Sequence, residues 1–257
     1  MRIFGLIFTF FLFSSFHFKI NAQDTIQGNN QFHQKLSKRT LDLHQLWNEL
    51  LQKHVSNSGI VNYKSLKTEH EKLLSYIYIL DLAYTSNSFQ SFSQEEKIAF
   101  WINAYNAITV DLILRNYPVK SIKDIDKPWK QKLWKFGSKM HNLDEIEHKI
   151  LRKMNEPRIH FALVCAAISC PKLYNKAFTP ESLDKDLTKL TKEFLADPSK
   201  NSISEEQVEI SKIFQWFTGD FKTKEQSLID FLNLYSEIQI SADAKVKFKV
   251  YNWKLNE

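Results

Sequence analysis

The sequence predicts a mainly helical α+β fold in which a central buried helix packs on a small sheet. Apolar residues make up 43% of the chain, among them 20 phenylalanines, which suffices for a substantial core. Long stretches carry them at the three-and-four spacing of a helix, and one such stretch is apolar all round. Alternating runs, which are typical of strands, are short and few. The order of these elements indicates one helical domain with a small sheet.

The first 22 residues have the pattern of a secretory signal peptide. Arg2 supplies a positive charge, residues 3–16 are apolar but short for a membrane span, and Asn21-Ala22 offers a cleavage point before Gln23. Their removal lowers the net charge of +6 by two. We therefore expect an exported protein, periplasmic, on the outer surface or secreted, without a membrane span. An uncleaved N-terminal anchor is the alternative.

Composition limits the remaining chain. Residues 23–38 are polar and aperiodic, which predicts a flexible N-terminal segment, and residues 39–257 predict a single domain. Lysines scattered among acids indicate a solvated surface, so no nucleic-acid partner is expected. Only five glycines occur, which excludes a glycine-rich phosphate loop. No metal-binding spacing is present, so neither a metal nor a cofactor is predicted.

Two amphipathic helices are predicted to open the domain. The first runs from Thr40 to a stop at Asn57-Ser58-Gly59, and the second follows a short extended piece and ends near Ser86. Their apolar positions define two buried stripes: Leu43, Leu46, Trp47, Leu50 and Leu51 in the first, and Leu73, Leu74, Ile77 and Leu80 in the second.

The third helix is apolar on nearly every side, so we expect it at the centre of the domain. Ser93 and Glu96 form a capping-box pattern at its start, and Tyr117-Pro118 closes it. Only a narrow strip near Asp111 is expected to be polar.

Four side chains of this helix are candidate substrate-binding residues. Trp101 and Tyr105 lie on one face, and Asn103 and Asn106 lie on the opposite face. Buried amides need hydrogen-bond partners. The two asparagines therefore either hold the backbone of a neighbouring loop or line a site.

A hairpin at Gly137-Ser138 and a helix capped by Asn142 are predicted next. The apolar residues of this helix form one buried stripe: Leu143, Ile146, Ile150, Leu151 and Met154. Glu147 falls inside the stripe, so its carboxylate needs a partner nearby. His148 points about 100° away, where a surface or half-buried position explains it as well as catalysis does.

Both cysteines lie in the apolar segment RIHFALVCAAISCPKL, residues 158–173. Its two alternating sets are both apolar, which predicts a strand covered on both faces. In such a strand His160 and Cys165 point to opposite sides and form no dyad. Cys170 follows beside Ser169, where the strand meets a loop, a common place for function. The cysteines either form a disulfide or remain one structural and one reactive thiol.

The final third is predicted to alternate short helices with short strands. The helices span about 180–195, 213–217 and 227–235, and the strands span about 203–210 and 246–250. The last strand alternates apolar residues with lysines, which is typical of a half-exposed strand.

Several blocks of the sequence resemble the DUF547 domain, a domain of unknown function. They are AFWINAYNA, NYPVKSIKDI, LDEIEHKILR, RIHFALVCAAISCPKL, SKIFQWF followed by GDF, and YNWKLN. Asn62 and Asn252 stand where this domain often has aspartate, which suits capping or turn positions. The resemblance implies that these residues occupy its motif positions: Trp101, Asn103, Tyr105, Asn106, Glu147, His148, His160, Cys165, Ser169, Cys170 and Pro171. It implies no particular reaction.

Two functions suit these residues. In the first, the chain is an envelope or secreted module that binds a protein, peptide or glycan, and its buried polar side chains serve the core. In the second, it is a thiol hydrolase or acyltransferase with a papain-like or transglutaminase-like fold. Its nucleophile is then Cys170 or Cys165, its base His160 or His148, and its orienting group Glu147.

The thiol hypothesis makes a structural demand. A histidine must lie within hydrogen-bond reach of a sulfur, and Asn103 or Asn106 would supply amide donors to the reacting carbonyl. A third hypothesis, a thiol redox protein, is disfavoured because four residues separate the cysteines where two are usual.

Overall fold

Helices account for about half of the described residues, and strands for far fewer. A computed structural model describes residues 43–223 and 226–257, which all belong to one compact unit, Ser37–Glu257. The predicted signal peptide and the predicted flexible segment lie outside the described residues.

From residue 43 onward, four helices precede the central one: α1 (43–54), α2 (Tyr63–Lys67), α3 (His70–Thr85) and α4 (Asn87–Gln90). Helix α1 ends where Val55 pairs with Val61 across a turn. In that turn Gly59 has a φ of +83°, and a Cβ on it would lie 2.3 Å from the Cβ of Lys172. Glycine is required at this close crossing, so the predicted stop of the first helix is confirmed.

The central helix, α5 (Gln94–Asn116), is confirmed at both ends. The Ser93 hydroxyl accepts from the Glu96 N–H at 3.1 Å, and the Glu96 carboxylate accepts from the Ser93 N–H at 2.7 Å. Every side chain between Ile98 and Leu114 is buried. The helix packs mainly on other helical elements and meets the first strand through Trp101, whose ring lies 5.4 Å from Phe136.

The polar strip expected near Asp111 does not reach the surface. Asp111 is fully buried, and its carboxylate lies 2.6 Å from His70 Nε2, 2.7 Å from Arg115 Nε and 2.6 Å from Trp134 Nε1. Three donors from three elements replace water around this carboxylate, which explains how it is buried.

The predicted hairpin is confirmed as β1 (Trp134–Phe136) and β2 (Lys139–His141), with Gly137 in the left-handed region. The helix after it is less regular than predicted. The Asn142 side chain caps α6 (Leu143–Glu145), and the chain then forms a wide π-helical turn, Ile146–Ile150, and a tight 3-10 turn, Leu151–Met154. The π turn carries Glu147 and His148. Such turns are frequent at functional sites.

The strand predicted over residues 159–166 is wrong. Pro157–Phe161 form a 3-10 helix, and an irregular loop follows as far as Cys170. No neighbouring strand pairs with residues 162–164 in the described chain; the side chain of Asn106 bonds their backbone instead. The apolar run reflects burial of a loop. The argument that His160 and Cys165 face opposite ways therefore does not hold.

The final third contains α7 (Leu183–Ala196), β3 (Ser202–Ile203), β4 (Gln207–Ile210), α8 (Ile213–Trp216), α9 (Leu228–Asn233) and β5 (Lys245–Phe248). Strand β4 lies between β3, to which it is antiparallel, and β5, to which it is parallel. The mainly helical α+β class is confirmed. Within the described ranges no helix has both the length and the hydropathy needed to cross a bilayer.

Candidate functional site

The central helix holds two loops through its buried asparagines. The Asn106 amide donates to the Ala162 carbonyl at 2.9 Å and accepts from the Val164 N–H at 3.1 Å. The Asn103 amide bonds the N–H and carbonyl of Phe178 in the same two-sided way, at 3.0 and 2.8 Å. Both asparagines thus hold backbone, and Asn106 does so immediately before Cys165.

The segment 251–256 fixes the other end of the cysteine loop. Leu255 pairs with Ala167, and the Ile168 and Ser169 N–H groups donate to carbonyls of this segment at 2.9 and 3.2 Å. Ala166, between the cysteines, has a φ of +53°, which is rare for a residue with a side chain. The loop is therefore held in an unusual conformation by contacts on both sides.

The loop brings its two sulfurs together. Both cysteines are free thiols, and the Cys165 thiol donates to the Cys170 sulfur across 2.9 Å. The backbone N–H of Cys165 also donates to the Cys170 sulfur, at 2.8 Å. The Tyr251 hydroxyl lies 3.2 Å from the Cys165 sulfur. The Leu163 carbonyl lies farther away, 3.9 Å from the Cys170 sulfur.

These contacts shift the pKa values of the two cysteines in opposite directions. Burial raises the pKa of Cys170, but hydrogen bonds from the Cys165 thiol and N–H outweigh it and hold that pKa below its ordinary value. The hydrogen bond to Cys170, together with burial, raises the pKa of Cys165 well above its ordinary value. Cys170 is therefore the sulfur that becomes a thiolate, and Cys165 is the thiol that stabilises it.

Glu147 and its hydrogen-bond partner Tyr105 lie near the two cysteines, in the lining of the same cavity. Its carboxylate accepts from the Tyr105 hydroxyl at 3.0 Å, which supplies the partner that the sequence demanded. Burial raises the pKa of Glu147 to about 7, although Tyr105 and the charge of Arg152 oppose the rise. Near neutral pH this carboxyl exists in both its protonated and its ionised form.

A chain of charged contacts joins the two candidate histidines. The Asp220 carboxylate lies 2.7 Å from His160 Nε2 and binds Arg152 through both oxygens, at 2.5 and 2.7 Å. Arg152 also donates to His148 Nδ1 at 3.1 Å. Because a carboxylate only accepts, His160 holds its proton on Nε2.

The electrostatics of this side-chain network keep the two histidines neutral. Burial lowers the pKa of His160, although Asp220 opposes that effect, and burial also lowers the pKa of His148. Burial acts to raise the pKa of Asp220, but hydrogen bonds from His160 and Arg152 overcome it and hold that pKa well below its usual range. The His160 ring stacks on Phe217 with centroids 4.0 Å apart. At neutral pH the network thus contains an ionised Asp220 and a neutral His160.

The two cysteines, the two histidines and Glu147 line one cavity of about 350 Å³. Its polar wall contains Glu147, His148, His160, Cys165 and Cys170, with Tyr105, Asp144 and Arg152. Its aromatic wall consists of Trp129, Trp216, Phe217, Tyr251 and Trp253. Several of these rings pack on one another, and Trp216 is 46% exposed. A hollow of this kind, with a few convergent polar groups, is typical of a ligand site.

Four of the candidate substrate-binding residues do not line this cavity among the described residues. Trp101 packs in the core against Phe136, and Asn103 and Asn106 hold backbone. The Ser169 hydroxyl accepts from the Asn252 N–H at 2.8 Å. The amides of Asn103 and Asn106 and the Ser169 hydroxyl are thus engaged with backbone groups of the chain.

The demand for a histidine beside a sulfur is not met directly. Within the described part of the chain, neither sulfur has a hydrogen bond to a histidine; both have contacts to each other and to Tyr251. His160 and His148 nevertheless line the same cavity as the sulfurs. A catalytic contact in such a site often forms only once substrate is present.

Three residues of the site were given no role by the sequence. Asp220 and Arg152 organise the histidines, and Tyr251 contacts the thiol pair. All three fall inside blocks that resemble DUF547, which was the available signal. The described residues contain no group of three or more His, Cys, Asp or Glu side chains arranged to hold a metal.

Comparison with known proteins matches one segment of the chain to a protein family. Residues 89–195 match the family model of DUF547, described as a protein of unknown function. No curated protein and no solved structure matches the chain. The matched segment includes α5 and both cysteines, whereas Asp220 and Tyr251 lie beyond it. Residues 89–195 of the chain are therefore similar to the DUF547 family.

Proposed function

We propose that the chain is a thiol-dependent acyl-transfer enzyme, a hydrolase or acyltransferase, with Cys170 as its nucleophile. One observation carries the proposal: the Cys170 sulfur accepts two short hydrogen bonds, from the N–H and the thiol of Cys165, at the edge of a cavity. Donors aimed at a sulfur favour the thiolate, which is the nucleophilic form.

The cavity also contains groups suited to proton transfer. His160 Nδ1 makes no hydrogen bond within the described residues, while Asp220 fixes the ring through Nε2. Such a nitrogen can accept a proton from water. Glu147, with a pKa of about 7, can donate one at neutral pH.

The proposed reaction has two steps. The Cys170 thiolate adds to an acyl carbonyl, and the leaving group departs with a proton from Glu147, which leaves a thioester on Cys170. Water, or another acceptor, then attacks the thioester while His160 takes its proton, and the thiolate is released. Transfer of that proton from His160 to Glu147 restores the starting state.

A second candidate is the binding or structural module, and a specific observation favours it. Neither histidine bonds a sulfur in the described chain, and much of the cavity wall is aromatic. Under this candidate the cavity holds a protein, peptide or glycan ligand without a covalent step. The thiols then serve only to pack the loop.

Acylation by a small activated ester separates the two candidates. The reduced chain is mixed with p-nitrophenyl acetate, and both the release of p-nitrophenolate and the mass of the intact protein are followed. We expect a burst of about one equivalent and an acetyl group on Cys170. The C170S variant should show no burst, and C165S tests whether the neighbouring thiol activates it.

The opposite outcome is equally clear. If wild type and C170S acquire acetyl groups at the same slow rate, on lysines, the enzyme proposal fails and the binding module remains. Far-ultraviolet circular dichroism of each variant shows whether it is folded.

The place of action is a further part of the proposal. The apolar stretch at residues 3–16, with Arg2 before it, supports export of the chain to the periplasm, the outer surface or the medium.

A further inference from the structure

The geometry points to a reversible disulfide between Cys165 and Cys170, formed by exchange with a small disulfide of the glutathione type that enters the cavity. The inference goes beyond acyl transfer, because it needs only the two thiols and an oxidant. Both can be tested on the same protein with separate readouts.

Proximity is the first argument. The two sulfurs lie 2.9 Å apart, and a disulfide bond is about 2.05 Å long, so closure requires them to approach by less than about 1 Å. Asn106 holds the backbone before Cys165, and the pairing of Ala167 with Leu255 holds the chain between the cysteines. The loop therefore presents both sulfurs already facing each other.

The unequal roles of the two sulfurs supply the chemistry. The Cys170 thiolate attacks one sulfur of the small disulfide, a new S–S bond forms, and one thiolate of the oxidant leaves. Cys165 then no longer donates to a thiolate, so the main cause of its high pKa is removed. Its thiol loses a proton to the departed thiolate and attacks the Cys170 sulfur.

The attack of Cys165 on the mixed disulfide completes the reaction. The bond between Cys165 and Cys170 forms, the mixed disulfide breaks, and the second thiolate of the oxidant leaves and takes a proton from solvent. Two protein thiols are oxidised to one disulfide, and one small disulfide is reduced to two thiols. The Tyr251 hydroxyl, 3.2 Å from the Cys165 sulfur, is placed to stabilise Cys165 as it ionises.

Access is the last requirement. Cys165 is partly exposed, and both cysteines line the same open cavity. Cys170 itself is only 4% exposed, so the cavity is the route by which the oxidant reaches its sulfur. Once the disulfide has formed, Cys170 can no longer attack an acyl group, so oxidation also switches off the proposed enzyme.

The test is equilibration of the full chain with oxidised and reduced glutathione at a series of ratios, followed by acid quenching and mass spectrometry of the intact protein. The chain has two cysteines, so the count is unambiguous. We expect wild type to lose two hydrogens and to retain no glutathione. The C165S variant should accumulate one glutathione on Cys170, because the resolving thiol is absent.

The C170S variant is the matched control. Its remaining thiol, Cys165, should react with oxidised glutathione at least about tenfold more slowly than Cys170 in C165S. Two reduced thiols at every ratio in wild type, or a stable glutathione adduct on wild type, would overturn the inference. Neither result depends on the variants or on acyl transfer, since an acetyl group on reduced Cys170 is measured separately.

Discussion

The Tyr105 hydroxyl lies 3.0 Å from the carboxylate of Glu147 and donates a hydrogen bond to it. That bond is not enough to offset burial, and the pKa of Glu147 is about 7 where the ordinary value is 4.5. The folded chain thus binds a proton that the unfolded chain releases at lower pH. The resulting stability is complete below about pH 4.5 and is lost as the pH rises to about 7.

Replacement of Glu147 by glutamine should remove this pH dependence. Between pH 4.5 and 7 the free energy of unfolding of wild type should fall, relative to E147Q, by about 3 kcal/mol. Urea unfolding at a series of pH values measures the difference. The exposed Glu181 provides the control variant, E181Q, which should keep the wild-type profile. Parallel curves for wild type and E147Q would show that the carboxyl is not buried in this way.

The two central asparagines provide a matched pair of variants. Both N103A and N106A should lower the free energy of unfolding by about 2 to 4 kcal/mol, because each leaves a buried N–H and a buried carbonyl without partners. Only N106A should also slow alkylation of Cys170 by iodoacetamide, since Asn106 holds the backbone beside Cys165. Equal alkylation rates in the two variants would refute a role of Asn106 in positioning the thiols.

Tyr251 should lower the pKa of Cys170, because its hydroxyl is close enough to stabilise negative charge on the thiol pair. In Y251F the rate of iodoacetamide alkylation near pH 6.5 should fall about threefold or more, with little change at a pH where the thiol is fully ionised. Tyr174, whose hydroxyl bonds Asp186 outside the cavity, gives the control variant Y174F. A uniform decrease at every pH would indicate a change in access and not in pKa.

Asp220 should matter both for stability and for release of the acyl group. Its pKa is depressed, so its contribution to stability is present above its ordinary pKa and is lost as the pH falls below it. At neutral pH, D220N should lose about 2 kcal/mol and should accumulate acetylated Cys170 because His160 is no longer oriented. Asp184, which is 88% exposed and pairs with Arg158, supplies the control, D184N, which should change little. Wild-type deacylation in D220N would remove His160 from the proposed second step.

Export can be tested directly on protein made in bacteria. If the N-terminal stretch is a cleaved signal, the exported protein should begin at Gln23, and its mass should lack the first 22 residues. N-terminal sequencing and intact mass decide between cleavage and the alternative of an uncleaved anchor. Protein that keeps residue 1 and remains in the cytoplasm would contradict the proposal.

The features that sequence predicted well are those specified locally. The capping box of Ser93 and Glu96 involves residues three positions apart, and the turn at Gly137 is set by a glycine. The burial of α5 could likewise be predicted from the apolar residues of its own sequence, without reference to the elements that pack on it. In such elements the two partners of each hydrogen bond lie within a few residues of each other in the sequence.

The features it missed depend on distant partners. The apolar run 159–166 matched a strand, but it is a loop in which the amide of Asn106, 58 residues from Val164, bonds two of the backbone groups. In the same way, no sequence pattern indicates that Asp220 contacts His160, which is 60 residues away in the sequence. The cysteines, His160 and Glu147 could be named as candidates, but their convergence required the fold.

The position of Tyr251 has a consequence for biosynthesis. It lies 86 residues downstream of Cys165, and the strand partner of Ala167 is farther still. A ribosome that has just released the cysteine segment has yet to translate the residues that hold it. Because chains fold from the N-terminus as they emerge, the nascent thiols spend that interval without their support. During synthesis the pair is therefore available to thiol chemistry other than that of the finished site.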